Sequence, residues 1–227
     1  MGQVIRKDAA SQDIITDANK ALTNATARGG RWKTLAESRL APACAWFANI
    51  EAQRIAAEQT LAPLTATVAT LNVQADKKIG ASYDSIWNEV GRPRSDAALT
   101  VMFPDGVATY AQGDTAEQPD RMRVLVTLLG SGIHPRLSTT TANACAADLS
   151  AEADGLETAV AAHRKAAAKV KVLLRVQTAL AKVVHAELIN LKRLYKTEGF
   201  SEAEIHTVIP DRPSKTTKQD PSNVKTP

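Results

Sequence analysis

The chain is poor in the residues and patterns that announce a chemistry. It has two cysteines, Cys44 and Cys145, outside any CxxC pair. The four histidines, His134, His163, His185 and His206, never recur at i+3 or i+4. HExxH, EF-hand, Walker A and GxGxxG patterns are all missing, so the sequence supports no dedicated zinc, calcium or nucleotide site. Abundant single carboxylates identify no acid–base pair. The sequence therefore gives no reason to expect an enzyme, a metal or a cofactor. Uncharged apolar runs never approach the 18 residues of a membrane span. Met1–Asp8 contains no apolar core of a secretory signal, and Arg6 stands where a myristoylation pattern needs Ser or Thr. Two isolated cysteines among alanines read as reduced, buried thiols of a cytoplasmic protein; the alternative is a disulfide between the two long helices in an oxidising compartment.

Aromatic residues are only 4% of a chain that is 44% apolar, and alanine carries much of that share. Such an interior suits closely packed helices better than a thick globular core. Proline is missing from 136 to 209, and that interval carries a sustained heptad. One series reads Leu149, Leu156, His163, Val170, Gln177, Val184, Leu191; the other reads Ala153, Val160, Ala167, Leu174, Ala181, Leu188, Tyr195. Twelve of these fourteen are apolar, which calls for coiled-coil-like packing. Leu174 stands at the centre of this expected seam, where a charge should break the assembly. Ala161, Ala162, Ala168, Val176, Val183 and Ile189 flank it, so the stripe is wider than two helices need and implies a further neighbour.

The first half carries a matching pattern. Ala36, Ala43, Ile50, Ala57, Leu64 and Leu71 alternate with Leu40, Phe47, Arg54, Leu61, Val68 and Ala75, and only Arg54 is not apolar. Pro42 and Pro63 should kink or break this helix away from its seam. An antiparallel pairing of Ala75 with Leu149 would bring Tyr195 near Gly29. Ile15, Ala18, Leu22 and Ala25 mark a shorter helix before the Gly29-Gly30 break.

Between the arms the pattern changes. Gly91-Arg92-Pro93, Phe103-Pro104-Asp105-Gly106, Gly113-Asp114 and Gly130-Ser131-Gly132 punctuate short apolar pieces. Tyr83–Val90 and Pro119–Leu129 read as short helices, and Val107–Tyr110 as extended. Near the C-terminus, Ser201 and Glu204 form a capping-box pattern. Residues 210–227 hold four prolines and only Val224 as an apolar residue of any size; they should form an extended, disordered tail.

These readings predict an all-α fold: an elongated antiparallel helical hairpin with a small, irregular, mostly helical insert at its turn. The expected divisions are 1–28, 31–78, 79–137, 138–198 and 199–227. Leu149, Leu156, Val160, Val170, Leu174, Val184, Leu188 and Leu191 should pack with Phe47, Leu61, Leu64 and Leu71. Arg92, Arg94, Arg121, Arg123 and Arg136, with His134, could hold an anion if they converged; seven carboxylates in the same segment offer the simpler alternative of ion pairing. His163 and Gln177 would be either a buried polar layer or residues of a partly exposed seam.

The net charge is +4. In the last long helix Asp148, Glu152, Asp154 and Glu157 precede Arg164, Lys165, Lys169, Lys171, Arg175, Lys182, Lys192, Arg193 and Lys196. The acid-first order suits the helix dipole only at the end turns. The remainder is a basic face suited to solvent, an acidic helix or, without aromatic interleaving to support it, nucleic acid. A scaffold that self-associates or docks a helical protein is the function the pattern favours, with a nucleic-acid-associated protein as the alternative.

Overall fold

The computed structural model describes residues 4–6 and 8–210; the expected tail lies outside them, apart from Pro210. The protein is all-α. Two helices dominate, α2 (Gly30–Glu89) and α6 (Thr139–Thr197), accompanied by α1 (Ser11–Arg28), α3 (Ala97–Met102), α4 (Ala108–Ala111), α5 (Gln118–Gly130) and α7 (Glu202–Val208). A four-residue extended segment, β1 (Pro104–Val107), lies between α3 and α4. The chain divides into two compact units: Met1–Ile55 with Lys171–Pro227, and Ala56–Val170.

In the first unit α2 and α6 pack antiparallel. The Tyr195 hydroxyl donates to the Trp32 carbonyl (2.9 Å), and Gln177 donates to Glu51 (3.4 Å). Tyr195 thus meets Trp32, within one turn of Gly29, where the first arm begins and a φ of 71° favours glycine. The core joins Leu40, Ala43 and Phe47 of α2 to Ala181, Val184, Leu188 and Leu191 of α6. Ile14, Ala18, Ala21 and Ala25 of α1, and Ile205 and Val208 of α7, complete it. Small residues on α1 allow a close approach, but α1 and α7 do not cover the flanking residues that implied a further neighbour: Ala161, Ala162, Ala168, Val176 and Val183 are exposed, and only Ile189 is half-buried. Phe200 stacks on Trp32 at 3.8 Å. The capping box at Ser201 is formed. His185 Nε2 lies 2.8 Å from the Ile5 carbonyl, which can only accept, so the ring donates and anchors the segment before α1.

The second unit pairs the remaining halves of the long helices. Lys78 meets Asp148 at 2.6 Å, and Glu89 accepts from the Ser138 amide at 3.2 Å. Ala75, Ile79, Ile86 and Val90 face Cys145, Leu149, Ala153, Leu156 and Val160. Over them fold Leu99 and Met102 of α3 and Met122, Leu125 and Leu129 of α5. Tyr110 closes this packing, its hydroxyl donating to the Met102 carbonyl at 2.6 Å and its ring edge-on to Phe103.

Several local expectations are corrected. Pro42 and Pro63 lie inside one unbroken helix. The carbonyls they release, of Ser38 and Gln59, are on exposed residues where water can satisfy them. The first long helix does not end at 78; Tyr83–Glu89 continue α2, because Ile79, Ser82, Ile86 and Val90 keep a buried stripe at helical spacing. It stops at Gly91 and Arg92, both at positive φ, where the Arg92 amide bonds the Trp87 carbonyl (2.9 Å). Val107 closes the extended piece, and Ala108–Ala111 are helical rather than extended.

The largest correction is Leu174, which is 52% exposed while Leu173 is buried. A straight helix drifts by about 20° per heptad against a strict seven-residue repeat. In the register of the Gln177–Glu51 contact, Arg54 is the α2 seam residue at this level, and it is half-buried.

Candidate functional site

Burial along the long helices follows the heptad but is uneven in depth. In the first unit Phe47, Val184, Leu188 and Leu191 are buried, whereas Leu174 is exposed. In the second, Leu149, Leu156 and Val160 are buried, while Leu61, Leu64, Leu71 and Val170 are half-buried. Gln177 is buried and bonded to Glu51; His163 is half-buried.

Beyond Phe47 and Ala181 the core of the first unit thins out, and apolar side chains reach the surface. Trp46 is 59% exposed, and Val172, Val176 and Val183 are exposed with it. Val172, Val176 and Val183, at i, i+4 and i+11, share one helical stripe with Leu180. An open groove between α2 and α6 is lined by Ala45, Trp46, Asn49, Ile50, Val176 and Leu180. Ile50 and Leu180 are half-buried. Trp46 escaped the sequence reading because it lies one residue outside the seam position Phe47.

A basic face lies elsewhere on α6, outside the lining of the groove. Lys171, Arg175 and Lys182 each immediately precede a valine of the stripe, which places them about 100° around α6 from it. All three are exposed. Among the described residues no carboxylate lies within ion-pair distance of them. The contrast with the end of the same helix is direct: Lys192 and Lys196 both hold Glu202, at 2.9 and 2.7 Å. Those contacts, Lys196 first, hold the Glu202 carboxyl down at about 2. The α2 side of the groove carries no charge between Arg39 and Glu51.

The insert arginines do not assemble an anion site; most are engaged by oxygen partners. Arg123 bridges Asp154 and Glu157 of α6, and these contacts, Glu157 first, raise its pKa. Arg121 meets Glu117 and donates to the Asp114 carbonyl (3.1 Å). Arg136 holds Asp96 at 2.7 Å. Arg92 donates to Asn88 (2.7 Å) and lies over Trp87. Arg94 is exposed beside a polar hollow that Asp96 and Trp87 also line. Competition from carboxylates one turn or one helix away is what disperses the set.

Two residues from that segment do converge. His134, 3% exposed, has Nε2 3.3 Å from an Asp96 oxygen and Nδ1 3.2 Å from the Arg136 amide. The amide can only donate, so Nδ1 accepts and Nε2 carries the proton toward Asp96. Asp96 also caps α3, accepting from the Ala98 and Leu99 amides at 2.9 and 3.1 Å. The Leu99 amide first, then Arg136 and His134, hold its carboxyl below the ordinary range. The arrangement ties the segment before α6 to the start of α3.

Cys44 and Cys145 are free and buried, one in each unit. Burial pushes the Cys44 thiol up to about 11. Among the described residues no group of three His, Cys, Asp or Glu is placed to hold a metal, and no helix is long and apolar enough to cross a membrane. No family model matches the chain, and neither a curated protein nor a solved structure is significantly similar to it.

Proposed function

We propose that this chain is a non-enzymatic structural or assembly protein that acts by helix association. The observation that carries the reading is the apolar groove at Trp46. Isolated exposed apolar side chains are ordinary. Here Trp46 and Val176 line one groove, and Val172 and Val183 extend its α6 wall. A contiguous apolar patch beside polar residues is the usual mark of a protein contact. The occupant is a helix, from a second copy or another helical protein. The test is the solution mass of the full chain by light scattering over a range of concentrations, alone and with amphipathic helical peptides. Mass gain that disappears in Trp46→Glu supports the reading. A monodisperse 24.2 kDa chain that takes up no helix would contradict it.

A second reading, association with nucleic acid, is favoured by one observation. Arg164, Lys165 and Lys169 in the second unit, and Lys171, Arg175 and Lys182 in the first, are exposed and lack ion-pair partners among the described residues. The sequence of α6 has no carboxylate between Glu157 and Glu187. Duplex DNA binding that falls steeply with salt would support that reading; unchanged mobility of DNA at low salt would remove it.

A further inference from the structure

We infer that the outer face of α6 in the first unit is a docking ridge for the phosphate backbone of duplex nucleic acid; this rests on the nucleic-acid reading and specifies its contact. Lys171, Arg175, Lys182 and Arg193 are exposed and follow one another at steps of four, seven and eleven residues. Those steps come within about 40° of whole helical turns, so the four stand in one row, about 33 Å long at 1.5 Å per residue. The row lies on the far side of α6 from Val184, Leu188 and Leu191, which are buried. Among the described residues none of the four has an ion pair. Glu187 is the one carboxylate of α6 between Lys171 and Arg193. It is half-buried, stands about 140° round the helix from Lys182, and accepts from Asn190 at 3.4 Å.

A solvated helix face ordinarily mixes both signs; a row of one sign is the footprint of a polyanion. Its composition then selects among polyanions. Thr178 and Ala186 lie between the cations, and the Thr178 hydroxyl already donates to the Leu174 carbonyl at 2.9 Å. The one aromatic residue of α6, Tyr195, is buried, so a single strand finds no ring in the row on which to stack its bases. A bilayer finds no large exposed apolar side chain there to insert; Val172, Val176 and Val183 stand about 100° round the helix. A flexible acidic polypeptide would have to be ordered along the row. A duplex asks for none of these: it presents one negative charge per about 1.7 Å of axis and is stiff over about 150 base pairs. A straight row of cations on a rigid helix meets it without ordering either side. Contacts to phosphate carry no sequence information, so the binding is independent of sequence.

The test measures binding of the full chain over a salt series to duplex DNA, duplex RNA, each strand alone, polyglutamate and phosphatidylserine vesicles. A duplex is expected to bind most tightly, and the tighter of the two duplexes identifies the source of the backbone. The variant Lys171→Gln, Arg175→Gln, Lys182→Gln, Arg193→Gln is expected to lose about 3.6 from the slope of log affinity for duplex DNA against log salt, about 0.9 for each phosphate contact removed. The control variant Lys20→Gln, Arg39→Gln, Lys77→Gln, Arg94→Gln removes the same charge at exposed positions elsewhere and is expected to keep the parent slope. All eight positions are exposed, so the helicity of both variants by circular dichroism should match the parent. Equal losses of slope in the two variants, or a loss in neither, overturn the inference while the nucleic-acid reading stands. Tighter binding of a single strand than of either duplex does the same. Polyglutamate or vesicles bound more tightly than either duplex overturn the inference in favour of an acidic protein or a lipid surface. A chain that binds no nucleic acid at low salt overturns both.

Discussion

The Tyr195 hydroxyl donates to the Trp32 carbonyl at 2.9 Å across the two long helices of the first unit. Both side chains are buried, their rings are 4.4 Å apart, and Phe200 stacks on the tryptophan. One contact thus fixes the register of α2 and α6 and the return of the chain into α7. Tyr195→Phe removes the bond but keeps the ring, and is expected to cost about 1 kcal/mol. Trp32→Ala removes the stacking surface and is expected to cost about 3–5 kcal/mol. Thermal and urea unfolding of the two variants would rank them. Equal, negligible losses would be inconsistent with this packing.

Leu174 and Leu188 occupy the same heptad series but opposite environments: Leu174 is 52% and Leu188 0% exposed. Leu174→Asp is therefore expected to leave stability within about 0.5 kcal/mol, as at other surface positions. Leu188→Asp places an uncompensated charge in the core and should cost at least about 4 kcal/mol. Urea midpoints decide the matter, and a strongly destabilised Leu174→Asp would restore the strict seven-residue register.

Asp96 caps α3 and faces both His134 and Arg136. Asp96→Ala removes a cap and leaves a buried imidazole without its carboxylate, an expected loss of about 1–3 kcal/mol. Hydrogen exchange should rise at Ala98 and Leu99 and stay unchanged in the first unit. Protection unaltered at those two amides would rule out the cap.

Glu202 gives a pH dependence of determined sign. Lys196 and Lys192 hold its folded pKa at about 2, below the ordinary glutamate value of 4.5. Its contribution is therefore present above about 4.5 and is lost as pH falls from there through about 2. Protection of the α7 amides should decline across that window in the parent more than in Glu202→Gln. Identical profiles would mean that the two lysines do not tether α7.

The architecture was legible because heptad spacing is a direct consequence of helical packing. All twelve predicted seam positions on α2 are buried or half-buried, from Ala36 to Ala75. Thirteen of the fourteen on α6 are as well, Leu174 being the exception. Prolines misled because a helix tolerates the missing donor where water reaches the released carbonyl. The surface features were harder to see. Trp46 and Phe47 are adjacent in sequence, yet one is exposed and the other buried; only the neighbours of α2 decide which. The basic residues were visible in sequence, but which of them had carboxylate partners was not. Lys192 and Lys196 find Glu202 from another helix, and Lys171, Arg175 and Lys182 meet no such residue among those described.

The most direct measurement is the mass of the full chain by light scattering, with and without an amphipathic helical peptide, in the parent and in Trp46→Glu. A parent that gains the mass of the peptide and a Trp46→Glu variant that does not, both equally helical, is the expected result. Equal behaviour of the two proteins, whether both bind or neither does, would contradict association through this groove.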